Sequence, residues 1–464
     1  MIKAIKSANN RNLLMYLFIS VLVVGLGGDC LALDRQPNAD YRARRMALAQ
    51  KMSGGVAIVF AGTEAEGPNA VYGFRQDNNF YYLSGIAEPG AALVIVSAVV
   101  AKENVTPRAY TEILFLPIHN VAQEKWTGPK LGADNPQAPA ITGFGRVDNL
   151  DRLPADLAGI LGNGPATIYV DQSHDGEVSP SSGSLEWLRR TNTFPMRTST
   201  QDVKPLLAQL RVAKDQGEVD RIRHATDASI ASHMAAFQML KPGLNEHDID
   251  ARMQYEFMKR GCDRPAYAPI VGAGTNSTVL HYSADDAAIK SGDVVVMDVA
   301  GEYAMYASDI TRTAPANGKF TERQREIYNI VLGAQRAAME AFRQGKSKLI
   351  GRDSDALVKV AYDYINSHGK DLHGQPLGQY FIHGLGHYVG LEVHDVGDSM
   401  APIPRGAVFT IEPGIYIPEE KLGVRIEDIV WVSADGKLVN LTGALPHSAE
   451  EIEAAMAGKF TAKQ

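Results

Sequence analysis

Short β-branched apolar runs and longer stretches of helical period divide the chain into two regions. Val56 to Ala61, Ala91 to Val100 and Ile113 to Leu116 are apolar at nearly every position, the pattern of buried strands. Thr167 to Val170 is a shorter run of the same kind. Arg42 to Met52 has helical character, and the aromatic segment Phe74 to Gly85 is expected to pack over the sheet and cap it. Residues 120 to 200 are rich in Gly, Pro, Asn and Ser and predict loops between short strands. Beyond Leu206 the period changes. Glu218 to Leu240 predicts a long helix stopped by Pro242 and Gly243, and Glu246 to Lys259 predicts a second, stopped by Gly261. Strand-like runs follow at Val294 to Val299 and Ala407 to Val432, with helices predicted between them over Glu322 to Arg343 and Asp355 to Ser367. The class is α/β (α+β): a smaller mixed α/β N-terminal domain over residues 34–205, then a larger domain over 206–464.

The first 33 residues follow a different pattern. Lys3, Lys6 and Arg11 precede an apolar run from Leu13 to Leu26, and Ala32 is a small residue suited to cleavage. That is the layout of a secretory signal. The run is about 14 residues, against roughly 20 for a bilayer span, so an uncleaved anchor is the weaker reading. A lipoprotein site at Cys30 is weaker still, with Asp29 before it. The expectation is an exported protein, periplasmic or secreted, with no stable membrane insertion after cleavage. Only Cys262 would then remain, which excludes an internal disulfide and reads as a buried small residue. A formal net charge of −7 gives no basic excess, so no nucleic-acid partner is expected.

Carboxylates and histidines of the second region carry the chemistry. Asp298 ends the run Val294 to Met297, and Asp309 follows eleven residues later, with Gly301-Glu302-Tyr303 as the expected turn of a hairpin between them. Glu412 and Glu427 repeat this arrangement, fifteen residues apart around Pro418 to Lys421. Each acid interrupts an apolar strand, where a carboxylate is expensive unless paired or metal-bound. Four such groups brought together repel one another, and divalent cations are the simplest counterweight. His387, in His383-Gly384-Leu385-Gly386-His387, is a further ligand candidate. One imidazole with four carboxylates is a hard, oxygen-rich set that favours Mn²⁺, with Fe²⁺ or Co²⁺ as alternatives. Shared carboxylates suit two metals roughly 3.5–4 Å apart. Gly384, Gly386 and Gly390 lack the strand-then-helix setting of a nucleotide loop, and no Gly-x-Ser-x-Gly elbow is evident.

The ordered set His281, Asp298, Asp309, His387, Glu412 and Glu427, with the flanking Ser308 to Thr313, His383 to Asp395, Glu412 to Tyr416 and Val424 to Asp428, resembles the pita-bread metallopeptidases, and aminopeptidase P most closely. The resemblance runs from about residue 44 to 455 and includes Phe74-Arg75-Gln76 and Phe80 to Gly85. It implies a C-terminal pita-bread catalytic domain that hydrolyses the N-terminal Xaa-Pro bond of peptides through a hydroxide bridging two divalent metals. Asp298, Asp309, His387, Glu412 and Glu427 are the implied ligands, with Asp309 and Glu427 shared. Glu412 is also the implied general base, and His281 and His394 the stabilisers of the tetrahedral intermediate. His383 is expected to line the proline side, with Tyr416 and Arg425 positioning ligands and substrate. A homo-oligomer, dimer or tetramer, is a further implication. Gly386 departs from the serine that relatives often carry.

Two other readings stand beside this one. A prolidase shares fold and metals but takes only dipeptides. A metal-free pita-bread module would bind peptides without cleaving them, and the complete ligand set argues against it. A creatinase-like hydrolase keeps the fold without these ligands and ranks lower. Trp126 is expected in the core or at an interface, with a place at a neighbouring subunit's cleft as the minority reading.

Overall fold

A computed structural model describes residues 34–64, 71–100, 107–162, 167–172, 186, 189, 190 and 198–461. The expected signal segment, with Cys30, lies outside them. Gln36 to Gln464 form one unit.

The first apolar runs become the centre of a six-stranded mixed sheet. Its strands are β1 (Val56–Phe60), β2 (Ala92–Val96), β3 (Thr111–Leu116), β4 (Val147–Asn149), β5 (Thr167–Val170) and β6 (Ser199–Asp202), in the order β4-β3-β2-β1-β5-β6. β1 and β2 are buried at every position and pair antiparallel, Val56 opposite Val96. Continuous apolar runs are what a sheet covered on both faces requires. Helix α1 (Asn38–Lys51) packs against a second helix, α2 (Asn78–Ser84), which forms where only aromatic packing is expected. Asp77 caps α2 by accepting from Phe80 N at 2.8 Å, and Gly85 ends it at φ +64°. Phe80 to Ser84 are all buried and only Asn78 and Asn79 at the start are half-buried, so α2 shows no amphipathic period to read. A Cβ on Gly85 would lie 2.3 Å from the Tyr41 ring, so helix and ring meet only because that side chain is absent.

Helix α3 (Lys204–Arg211) leads into α4 (Gln216–Met239) and α5 (Glu246–Met258). Asp215 and Glu218 form a reciprocal cap on α4, and Thr321 and Gln324 form another on α6 (Glu322–Ala341), which packs on α7 (Leu357–His368). After α4 and α5, strands β7 (Arg264–Pro265), β8 (Ile270–Ala273) and β9 (Val294–Asp298) are followed by β10 (Gly301–Tyr303), β11 (Tyr306–Ala307) and β12 (Thr311–Pro315). After α6 and α7 come β13 (Val408–Ile411), β14 (Gly414–Ile417), β15 (Leu422–Arg425), β16 (Asp428–Val432) and β17 (Leu438–Asn440). Each helix pair thus precedes an antiparallel pair of buried strands: β9 with β12, Asp298 opposite Thr311, and β13 with β16, Ile411 opposite Asp428. One core joins both sets, including Met297, Ile310, Ile327, Val331, Phe409 and Val424. Cys262 is buried in it, as expected of a small core residue, and burial pushes its thiol up to about 12. Trp126 is 87% exposed and so is not a core residue. Among the described residues no helix is long and apolar enough to cross a membrane.

Candidate metal centre

The carboxylates stand where paired strands end. Asp298 is the last residue of β9, and Asp309 lies in the link between β11 and β12. The turn between them differs from expectation. Gly301 to Tyr303 belong to β10, and the chain reverses at Ala304 and Met305, both left-handed at φ 48° and 76°. Two successive positive φ values give the turn that matches strand twist. Glu412 directly follows β13, and Glu427 separates β15 from β16. The buried Gln335 of α6 donates to the carbonyls of Ile411 at 3.0 Å and Ile426 at 3.2 Å, each one residue before a glutamate.

The His387 loop is pinned to β13. Thr410 N donates to the His387 carbonyl at 2.9 Å, and His387 N donates to Thr410 Oγ1 at 3.1 Å. A Cβ at Gly386 would sit 2.0 Å from the Thr410 carbonyl oxygen, so a serine there would require β13 to stand further off.

All ten residues singled out in the sequence line one cleft of about 540 Å³: His281, Asp298, Asp309, His383, His387, His394, Glu412, Tyr416, Arg425 and Glu427. At its floor, ligand atoms of Asp309, His387 and Glu427 lie within 4.8 Å of one another. His387 Nε2 is 3.2 Å from Asp309 Oδ2 and 3.5 Å from Glu412 Oε1. Its Nδ1 lies 3.2 Å from the Tyr388 carbonyl, which orients the ring so that Nε2 points towards two carboxylate oxygens. Burial, then the charges of Asp298 and Glu412, hold the Asp309 carboxyl well above the usual range. Glu427 is raised by burial and then by Asp309, and Glu412 is pushed up to about 8 by burial and then by Glu427. Arg425 alone among the cleft-lining residues is a permanent cation. An imidazole nitrogen and four carboxylates lining the cleft, with one guanidinium against them, form a donor set that fits divalent cations.

A chain of hydrogen bonds surrounds this cluster. Arg425 Nη2 donates to Asp298 Oδ2 at 2.8 Å, and Nη1 donates to the Tyr416 hydroxyl at 2.9 Å. His383 Nδ1 donates to the Gly384 carbonyl at 2.8 Å, which leaves Nε2 to accept the Tyr416 hydroxyl at 2.8 Å. Burial, then the charge of Arg425, pushes His383 down to about 4, consistent with that neutral tautomer. His281 and His394 stand on the exposed rim, His394 with its ring centroid 4.0 Å from that of His387.

The sequence reading missed three supports. The Tyr267 hydroxyl donates to Asp298 Oδ1 at 2.6 Å, Thr311 Oγ1 donates to Glu427 Oε2 at 2.7 Å, and Gln335 acts as described. Thr311 stood inside a quoted segment, next but one to Asp309. Tyr267 and Gln335 carry no local signal, since they reach the site from other elements.

Comparison with known proteins agrees with this arrangement. The chain matches Metallopeptidase family M24 over residues 220–434 and the Aminopeptidase P, N-terminal domain over residues 41–169. It is 32% identical over 439 residues to the Xaa-Pro aminopeptidase of Haemophilus influenzae, across 90% of this chain and 97% of that one. Among solved structures it is similar to aminopeptidase P from E. coli with the inhibitor Pro-Leu, at a TM-score of 0.78 and 30% identity, across 92% of this chain and 99% of that one. Proline aminopeptidase P II from Yersinia pestis gives a TM-score of 0.75 at 31% identity, across 91% of this chain and all (100%) of that one. The expected architecture, a pita-bread domain behind a smaller α/β domain, is the observed one. With near-complete coverage on both sides, the chain belongs to metallopeptidase family M24, in its aminopeptidase P group.

Proposed function

We propose that the chain is a metal-dependent aminopeptidase that releases the first residue of peptides whose second residue is proline. The observation that carries this reading is the inward-facing set of Asp298, Asp309, His387, Glu412 and Glu427 in one cleft. The names of the similar proteins supply the substrate: Xaa-Pro aminopeptidase and aminopeptidase P.

Bound divalent cations would supply Lewis-acid polarisation of the scissile carbonyl and a water acidic enough to attack at neutral pH. Asp298, Asp309, His387, Glu412 and Glu427 would hold them, with Asp309 and Glu427, 5% and 1% exposed, the most buried of the five. Glu412 takes the proton of the attacking water on the oxygen that Thr410 does not engage, and delivers it to the departing proline nitrogen. His281 and His394 stand on the rim to stabilise charge developing on the carbonyl oxygen. Tyr416 and Arg425 fix Asp298 and, through Tyr416, His383. His383 presents its ring to the proline side of a cleft that the apolar Leu280 and Ile270 also line. An Xaa-Pro bond has no N–H to grip, so recognition falls to shape around the ring.

Manganese is the metal assigned, on the hardness of the donor set. Export to the periplasm or the medium is assigned from the first 33 residues, and a homo-oligomer, dimer or tetramer, from the family resemblance.

The test is hydrolysis of Xaa-Pro-Yaa peptides by chelator-stripped and Mn²⁺-restored protein. Activity should vanish, return on restoration and release free Xaa. Turnover confined to Xaa-Pro dipeptides would make the protein a prolidase, and turnover indifferent to stripping would reject the mechanism. Asp309→Ala and Glu427→Ala should each be inactive, and retained turnover would remove them from the ligand set.

A further inference from the structure

Among the described residues, those lining the cleft run from Tyr267 to Glu427, and the N-terminal domain contributes none. Its segment 75–79 nevertheless reaches the loop that carries His394. Residues 389–407 form no helix or strand. Single backbone bonds hold the loop at Asp395 N to the Tyr388 carbonyl and at Ala307 N to the Gly390 carbonyl, each 2.8 Å, and side-chain tethers add to them. Arg75 Nη2 donates to the Leu391 carbonyl at 2.5 Å. Arg75 Nη1 donates to Asn78 Oδ1 at 2.8 Å, and the Asn78 amide donates to Glu392. Asn79 accepts from Arg211 at 2.7 Å, and Arg211 joins Lys214 in holding Asp395, whose side chain is 1% exposed. The residues on both sides of His394 are therefore anchored.

Arg75 does more than hold the loop. Its Nε lies 3.0 and 2.8 Å from the two carboxylate oxygens of Glu302. Glu302 is on β10, in the excursion between Asp298 and Asp309. Beside the backbone bond from Ala307 to Gly390, a single guanidinium thus ties the hairpin that bears two of the carboxylates to the loop that bears His394. Only a planar fork of several donors can serve three partners in this way. A groove of about 330 Å³, with Arg75, Glu302 and Glu392 in its wall, adjoins the cleft and shares Val393 and His394 with it.

We propose that Arg75 is a positioning residue: through it the N-terminal domain sets the place of the His394 imidazole relative to the carboxylate cluster. Its kinetic consequence rests on the peptidase reading above.

The experiment compares wild type, Arg75→Ala, Arg75→Lys, His394→Ala and the Arg75→Ala/His394→Ala double variant, all metal-loaded. Arg75→Ala should lower kcat about tenfold to a hundredfold, with KM moved less than about threefold and bound metal unchanged. Arg75→Lys should not recover the loss, because one ammonium cannot span Glu302 and the Leu391 carbonyl together. Added guanidinium ion should restore part of it to Arg75→Ala. In the His394→Ala background, Arg75→Ala should cost nothing further. Hydrogen exchange over residues 388–396 should quicken in Arg75→Ala while residues 294–298 keep their protection. Losses that multiply in the double variant, an unchanged kcat, or unchanged exchange in the loop would each overturn the proposal. A wild type inactive on Xaa-Pro peptides would instead reject the peptidase reading, and the exchange comparison, which needs no substrate, would still decide the tether.

Discussion

Asp285 illustrates how far a single buried carboxyl can bear on this protein away from the metal centre. It accepts from Val271 N at 2.9 Å, is 3% exposed, and takes a left-handed φ of 48°. Burial pushes it up to about 7, with the charges of Asp250 and Glu246 adding to the effect. Between the ordinary aspartate range and 7 the folded state binds the proton that the unfolded chain has released. Its contribution is therefore full in acid and is lost as pH rises through 7. Asn keeps the acceptor for Val271 and suits a left-handed backbone. Asp285→Asn should match wild type near pH 4 and exceed it by on the order of 1–2 kcal/mol at pH 8, read from urea melts across the range. An equal difference at both pH values would show that Asp285 does not titrate between them.

Helices and strands carry the next level of the argument. Each half of the second region delivers two acids at the ends of paired strands, and α6 reaches across with Gln335 to tie the ends that carry Glu412 and Glu427. Gln335→Leu keeps the volume but removes the buried donor that the Ile411 and Ile426 carbonyls share, which should cost about 1–3 kcal/mol in urea melts. If Gln335 sets the spacing of the two glutamates, the same variant should also bind Mn²⁺ about tenfold to a hundredfold more weakly, measured by titration calorimetry. Lost stability with unchanged metal affinity would confine Gln335 to a structural part. The apolar strands are plain in the sequence, because burial patterns are local. Helix α2 was hidden for the converse reason: with Phe80 to Ser84 all buried, it has too few polar positions to betray its period.

At the scale of the whole molecule, the two regions are joined by buried charge. Arg44 of α1, 6% exposed, lies 2.6 Å from Asp215 and 3.5 Å from Glu218, donates to Gln36, and reaches the Tyr82 carbonyl at 3.2 Å. Arg44→Met would strand Glu218, itself 2% exposed, and should cost about 3–5 kcal/mol in urea melts. Adding Glu218→Gln should return much of that loss, and a single-variant cost below about 1 kcal/mol would mean that the pair does little for stability. Together with the Arg75 fork, this makes the N-terminal domain a fixed part of the catalytic architecture.

What the sequence alone decides is the class of fold and the candidate ligands that one cleft gathers. The acids of each pair stand eleven and fifteen residues apart, and paired strands of that length bring such residues together by geometry that the local pattern already encodes. Even so, the first turn lay at Ala304 and Met305, beyond the glycine that suggested it, because turn position follows strand register. Tertiary structure alone decides what surrounds the ligands. Tyr267 on Asp298, Gln335 behind two glutamates, and Arg75 on a carbonyl 316 positions away meet through packing. Contacts of that reach leave no periodic trace in a chain, since they depend on how whole elements dock and not on the spacing of neighbours.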